Sequence, residues 1–126
     1  MKLINDFFQI IAFDDKEEGI VASVKMNAGH SIYHAHFPGN PITPGVCLVQ
    51  MSTEILEMGI KKQLNLQNAV KIKFRNPMGP SVEPTFFFQI ISNSEHEVSV
   101  QVTIEDSNMQ YAKMNLIYTA TLQYKQ

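Results

Sequence analysis

The sequence predicts an α+β fold in which an antiparallel sheet wraps around one long central helix. Only residues 46–62 carry a long helical pattern of apolar positions, whereas the other apolar segments are short and rich in β-branched residues. No repeat, linker or low-complexity tract divides the 126 residues. With 44% hydrophobic and 17% charged residues, the chain can bury a real core, so we expect a single domain over 1–126.

The first two strands are predicted to form a hairpin. Residues 7–13, "FFQIIAF", are apolar and β-branched, and "DDKEEG" after them is a polar turn that ends in glycine. Residues 20–26, "IVASVKM", give the second strand.

The helix predicted over residues 46–62 is apolar around most of its circumference, which indicates burial on several sides. Thr43 is a plausible N-cap and Pro44 suits the first turn. Lys61 and Lys62 suit the negative end of the helix dipole.

The second half of the chain is predicted to be strands at 69–75, 85–92, 97–105 and 114–124. The run "TFFFQIIS" (85–92) is continuously apolar, as in a strand buried on both faces. The last two segments alternate apolar and polar residues, which predicts one buried face.

A proline-rich loop, "HAHFPGNPITPG", joins the second strand to the helix. Three readings are open: a polyproline II ligand for a partner, a stiff connector with a structural histidine, or a loop that aims His36 at a substrate. The run lies between a strand and a buried helix and contains apolar residues, so the first reading is the weakest.

The third reading gives a specific chemistry. Gly45 begins the helix, where backbone N–H groups lack intrahelical acceptors and the dipole is positive. A glycine there lets a carbonyl approach closely, and the amide would stabilise negative charge on its oxygen. With His36 as general base, the pair suits proton abstraction next to a carbonyl.

The segment "HFPGNPITPGVCLVQ" resembles the signature of the 3-hydroxyacyl-[acyl-carrier-protein] dehydratases. The match in register comprises His36, Phe37, Pro38, Pro41, Pro44, Gly45 and Val46. Downstream, "KFRNPMGP" is similar to a second family segment through Phe74, Pro77 and Pro80. The resemblance spans most of the chain and implies the hotdog fold.

The resemblance also implies the site and its substrate. His36 would be the catalytic histidine and the Gly45 amide the donor to the thioester carbonyl, with Phe37 and Val46 beside the substrate. The substrate would be an acyl group on a phosphopantetheine arm of an acyl carrier protein, in fatty-acid or polyketide/polyene-type synthesis, with no further cofactor. Active sites shared between subunits imply a homodimer, which in the family often assembles into a hexamer.

The sequence departs from the family at the catalytic carboxylate, fourteen residues after the histidine, where Gln50 stands. Glu54 lies one helical turn further, so the family's carboxylate and glutamine look exchanged. Three outcomes stay open: Glu54 supplies the acid, Gln50 positions a hydroxyl or water while His36 shuttles the proton, or dehydration is lost. In the last case the chain would be a thioesterase that uses Glu54, or a weakly active acyl-binding partner subunit.

The remaining features predict little further chemistry. A net charge of −2 gives no reason to expect nucleic acid or membrane partners, and no apolar segment has membrane-spanning length. The single cysteine fits a reducing compartment, so a cytoplasmic location is expected. Cys47 is interpreted as a packing residue of the buried helix. His30, His34 and His36 lack nearby acidic or thiol ligands, and no metal site is predicted.

Overall fold

A computed structural model describes residues 2–35 and 39–122, the side chain of Leu122 excepted. In these ranges the elements are β1 (Phe8–Lys16), β2 (Gly19–Met26), α1 (Ser31–Ala35), α2 (Gly45–Ile60), β3 (Lys62–Phe74), β4 (Thr85–Asn93), β5 (Glu97–Glu105) and β6 (Gln110–Leu122). The strands form one antiparallel sheet in the order β1-β2-β4-β5-β6-β3. The α+β prediction is confirmed, and the short helix α1 is the element that the sequence did not predict.

One face of the sheet is buried against α2. The alternation predicted for β5 is confirmed, because its inward side chains are all buried: Val98, Val100, Val102 and Ile104. The prediction that β4 is buried on both faces is wrong. Phe86 and Phe88 point into the core, whereas Phe87 is 39% and Ile91 63% exposed. No described element covers the outer face of the sheet, so a continuous apolar run can still have a solvent-facing side.

The ends of α2 differ from the sequence-based expectation. Pro44 is the N-cap residue and provides no side-chain cap, while the Thr43 hydroxyl bonds to the Tyr33 hydroxyl at 2.8 Å. At the other end the chain turns at Lys61, which has φ 58° and donates its N–H to Glu57 O at 2.9 Å. This left-handed cap stops the helix without a glycine. The predictions of Thr43 as the N-cap and of Pro44 in the first turn are therefore wrong. The helix ends at Ile60, two residues before the predicted end, so Lys61 is its C-cap and Lys62 begins β3.

The inward side of α2 packs closely on the sheet. A Cβ on Gly59 would lie 2.3 Å from Cδ1 of Ile20, so the glycine allows the helix to approach β2. The predicted burial of the helix on several sides fails at Val46 and Met58, whose side chains are exposed in the single chain. One side of α2 therefore packs on the sheet, and the opposite side is exposed to solvent near the N-terminus of the helix.

Tyr118 links the sheet to the middle of α2. The Thr53 hydroxyl donates to Val49 O at 3.1 Å and therefore accepts from the Tyr118 hydroxyl, 2.9 Å away. Burial is the main cause that raises the pKa of Tyr118 to about 12.

We expect Tyr118→Phe to lower the unfolding free energy at pH 7 by about 1 kcal/mol, because Thr53 loses its donor. The folded-state pKa of Tyr118 lies above that of an unfolded tyrosine, so the stability linked to its protonation is present below pH 10 and is lost between about pH 10 and 12. Urea unfolding of both proteins from pH 7 to 12 checks this. The wild type should lose stability more steeply than Tyr118→Phe above pH 10, and parallel curves would contradict the assignment.

Candidate active site at the N-terminus of α2

The first turn of α2 contains two bonded backbone N–H groups and two that are available to a ligand. The bonded groups are Cys47 N and Leu48 N, which both donate to Pro44 O, at 3.0 and 3.3 Å. The preceding N–H groups, of Gly45 and Val46, have no acceptor within the described part of the chain. They lie at the positive end of a 16-residue helix. This helix end can therefore stabilise a negative charge or a polarised carbonyl oxygen.

A cavity of about 250 Å³ opens at this helix end. It brings together the two segments on which the family resemblance rests, and Thr43 N donates to Met78 O across them at 2.8 Å. The lining residues are Ile42, Thr43, Pro44, Gly45, Leu48, Phe74, Arg75, Asn76, Pro77 and Met78. The walls are mainly apolar, with the helix end as the polar feature.

Gly45 is in close contact with an aromatic ring. A Cβ built on Gly45 would lie 2.6 Å from Cζ of Phe74, a distance that real Cβ atoms do not show. Phe74 is 53% exposed and lies on the wall of the cavity. The sequence motif "KFRNPMGP" includes Phe74, but the residue was not predicted to belong to the site. Its position three residues before Pro77 was the available signal.

A larger depression, about 1050 Å³, lies elsewhere, around the β1–β2 turn and β4. It is wide open to solvent, and Lys16, Glu17 and Glu18 at its rim make no hydrogen bond to one another in the described structure. Among the described residues, neither a helix terminus nor a histidine contributes to its lining. We therefore place the candidate site at the N-terminus of α2, where donors and an apolar wall coincide.

Gln50 and Glu54 lie one and two turns further along α2. Gln50 Nε2 donates to Glu54 Oε2 at 2.8 Å. Glu54 is buried, at 6% exposure, and its carboxylate also accepts the backbone N–H groups of Leu3 and Ile4. No signal in the sequence indicated this contact with the N-terminal segment.

Of the predicted site residues, His36 and Phe37 lie outside the described residues. Gly45 lines the cavity, and Val46, at 72% exposure, is on the outer side of the same helix turn. Of the predicted site residues, the structure therefore places Gly45 in the cavity, beside Phe74 and Pro44.

Residues 12–115 match the family model described as ApeI-like, ApeI dehydratase. This chain belongs to the ApeI-like dehydratase family. The match includes every predicted site residue and all of α2.

Two curated relatives of this ApeI-like dehydratase carry the name 3-hydroxyacyl-[acyl-carrier-protein] dehydratase FabZ. The protein from a Nitratiruptor species is 26% identical over 121 residues, which cover 86% of this chain and 78% of the relative. The protein from Campylobacter curvus is 29% identical over 87 residues, 59% of either chain.

Solved structures support the hotdog fold. A chain of the dehydratase heterocomplex ApeI:P from Xenorhabdus doucetiae superposes with a TM-score of 0.68 at 13% identity, over 87% of this chain and 96% of that one. A hypothetical thioesterase from Streptococcus pneumoniae TIGR4, solved with coenzyme A, gives a TM-score of 0.67 at 14% identity, over 94% and 88%.

The remaining histidines and the cysteine have no part in the candidate site. His30 Nε2 lies 3.1 Å from Asp6 Oδ2, and its Nδ1 accepts the Ile32 N–H, whereas His34 is exposed on α1. Burial raises the pKa of the Cys47 thiol, which fits a packing residue. Within residues 2–35 and 39–122, no three His, Cys, Asp or Glu side chains converge as metal ligands. No helix in the same ranges is long and apolar enough to cross a membrane.

Proposed function

We propose that this chain dehydrates 3-hydroxyacyl thioesters on an acyl carrier protein to trans-2-enoyl thioesters. The observation that carries the proposal is the pair of N–H groups, of Gly45 and Val46, that lack an acceptor within the described residues where α2 meets an apolar cavity. Membership of a dehydratase family supports the reaction class.

The geometry supports a specific division of labour. The thioester carbonyl accepts the Gly45 N–H, which makes the hydrogens on the adjacent carbon more acidic. His36 removes one of them as general base. The C–H electron pair forms the double bond, and the hydroxyl leaves the next carbon as water after it takes the proton that His36 removed. Phe74 limits the space above Gly45 and holds the acyl group against the helix end.

The approach of the carbonyl to the helix is tested by Gly45→Ala. The added methyl group is proposed to crowd the approach of the carbonyl, and we expect kcat/KM to fall about 10- to 100-fold, as for small misplacements of a substrate. The control is Gly45→Ala combined with Phe74→Ala, which removes the ring clash and is compared with Phe74→Ala alone. If the double variant is as active as Phe74→Ala, the ring, and not the carbonyl approach, explains the glycine.

The carrier protein is proposed to dock on a basic face of β3. Lys71, Lys73 and Arg75 are all exposed, and Arg75 reaches the cavity rim. Lys71 and Lys73 lie on one side of β3 and Arg75 directly follows its end, so their charges add toward one partner.

Reversing these charges, as in Lys71→Glu with Lys73→Glu, should raise KM for the carrier-bound substrate about tenfold at low salt. KM for the same acyl group on a pantetheine thioester should stay unchanged, because this substrate lacks the carrier protein. Equal effects on both substrates would contradict docking on β3. Steady-state kinetics at two salt concentrations make the comparison.

We propose a homodimer in which β3 edges pair. β3 is an edge strand of 13 residues, with exposed apolar side chains at Leu66 and Val70, and an open edge of this kind favours strand addition. Assembly to a hexamer and the cytoplasmic location stay predictions; the location rests on the single cysteine.

Gln50 in place of a carboxylate favours one second candidate: a subunit that completes its site with a different dehydratase chain. A glutamine cannot act as a proton donor at ordinary pH, so a carboxylate from another chain would restore the acid. The solved ApeI:P structure is described as a dehydratase heterocomplex. The thioesterase alternative needs Glu54 as a reacting carboxylate, and four hydrogen bonds already engage that group.

Two reporters in one assay separate these functions. Enoyl thioester absorbance measures dehydration, and free thiol measures hydrolysis, both with a 3-hydroxyacyl carrier protein. Enoyl product without thiol is expected. Thiol release without enoyl product would establish a thioesterase. No product until a second dehydratase chain is added would establish the partner subunit.

A further inference from the structure

The N-terminus of α2 is held from the residue before its cap. The N-cap residue, Pro44, makes no side-chain hydrogen bond. Thr43, one residue earlier, is buried, and its N–H donates to Met78 O at 2.8 Å. The Thr43 hydroxyl lies 2.8 Å from the hydroxyl of Tyr33, which is also buried. Thr43 therefore ties the start of α2 to α1 and to the segment that contains Met78.

The backbone between Thr43 and Gly45 has little freedom. The ring of Pro44 fixes its own φ, −61° here, and restricts the backbone of the residue before it. Gly45 follows directly and begins the helix with an N–H that has no acceptor within the described residues. The direction of this N–H therefore depends on how Thr43 is held.

Tyr33 gives Thr43 a fixed point of attachment. Its ring centroid lies 5.2 Å from that of Phe7, which is also in the core, and its N–H donates to His30 O at 3.1 Å. Burial is the main cause that raises the pKa of Tyr33, so its hydroxyl is protonated at neutral pH and can donate or accept. Tyr33 is not among the described residues that line the cavity at the helix end. Any effect of Tyr33 on a substrate there must pass through Thr43.

We propose that Tyr33 is a positioning residue that acts through Thr43 to aim the Gly45 N–H at the substrate carbonyl. The catalytic part of this inference rests on the proposed function; the effect on the backbone does not. Negative charge that develops on the carbonyl oxygen is stabilised best by a donor that is already aligned. The hydrogen bond between Tyr33 and Thr43 supplies this alignment before the substrate binds.

The test removes the two hydroxyls singly and together, as Tyr33→Phe, Thr43→Val and the double variant. Each single variant leaves one buried hydroxyl without its partner, so its urea midpoint should fall, whereas the double variant should regain most of the stability. We expect kcat/KM to fall about 10-fold in all three variants, because a small misplacement of the substrate is enough for such a loss. With an active wild type, a kcat/KM that is unchanged in Tyr33→Phe, or that returns with stability in the double variant, would overturn the proposal.

Tyr118 and Thr53 provide the matched control. They form the same kind of hydroxyl pair at 2.9 Å, and neither is among the described residues that line the cavity. Thr53 lies about 12 Å further along α2 than Gly45, at about 1.5 Å per residue. Tyr118→Phe with Thr53→Val should therefore keep kcat/KM within about twofold, as for independent sites. A loss equal to that of the Tyr33 and Thr43 double variant would mean that buried hydroxyls matter only in general, and the positioning role would be wrong.

A readout independent of activity is ¹⁵N relaxation of the Gly45 and Val46 amides. In the wild type their order parameters should be about 0.85, as in rigid backbone, and they should fall in Tyr33→Phe and in the double variant. If the wild type shows no dehydration but this fall is seen, the proposed function fails and the positioning of the helix end stands. Order parameters that stay unchanged in both variants overturn the positioning role, whatever the activity.

Discussion

Replacement of His36 by alanine is expected to lower kcat for dehydration by about 10²–10⁴-fold, the usual contribution of a positioned general base. Steady-state kinetics with a 3-hydroxyacyl carrier protein measure the change, and KM should stay near the wild-type value because Gly45 and the cavity are intact.

His34→Ala is the matched control. His34 is two residues away, is exposed at the end of α1, and has no proposed contact with the substrate. It should keep kcat within about twofold, as expected for a surface substitution. Equal losses in the two variants would show that disturbance of the loop, and not loss of a base, explains the effect.

Glu54→Ala should be among the most destabilising substitutions at the site. It leaves the Leu3 and Ile4 N–H groups without an acceptor, and buried unpaired donors each cost about 1–3 kcal/mol. We expect the unfolding free energy to fall by about 2–4 kcal/mol, since the N-terminal segment can partly regain water. Urea unfolding gives the total, and faster hydrogen exchange at Leu3 and Ile4 would locate it.

Glu57→Ala is the comparison on the same helix. Glu57 accepts one backbone N–H, from Leu64 at 2.9 Å, so we expect a loss of about 1 kcal/mol. If the two alanine variants were equally destabilised, the extra hydrogen bonds of Glu54 would contribute nothing measurable, and the N-terminal contact would be incidental to stability.

The fold was predictable because its signals are local. The alternation of apolar and polar residues in β5 predicts one buried face, and the helical spacing of apolar residues in α2 predicts the central helix. The error at β4 arose because "TFFFQIIS" is apolar at outward positions as well as inward ones. Periodicity cannot show which face a sheet leaves uncovered. The left-handed turn at Lys61 was likewise invisible, because a lysine rarely takes that conformation.

The site was predictable only where a motif fixed it. Gly45 was recognised from its place after Pro44, and the structure adds the reason, the ring of Phe74 against it. The Glu54 contacts to Leu3 and Ile4 join residues about fifty positions apart, and no local pattern encodes such a pairing. These hydrogen bonds make the buried Glu54 carboxylate an anchor for the N-terminal segment.

The central claim is that this chain, by itself, removes water from a 3-hydroxyacyl group. Single-turnover mass spectrometry of a 3-hydroxyacyl carrier protein mixed with excess purified protein tests it most directly. We predict that the acyl carrier loses the mass of one water, with the thioester intact, and that His36→Ala abolishes the loss. An unchanged mass with the wild type, or release of the acyl group as a free acid, would contradict the claim.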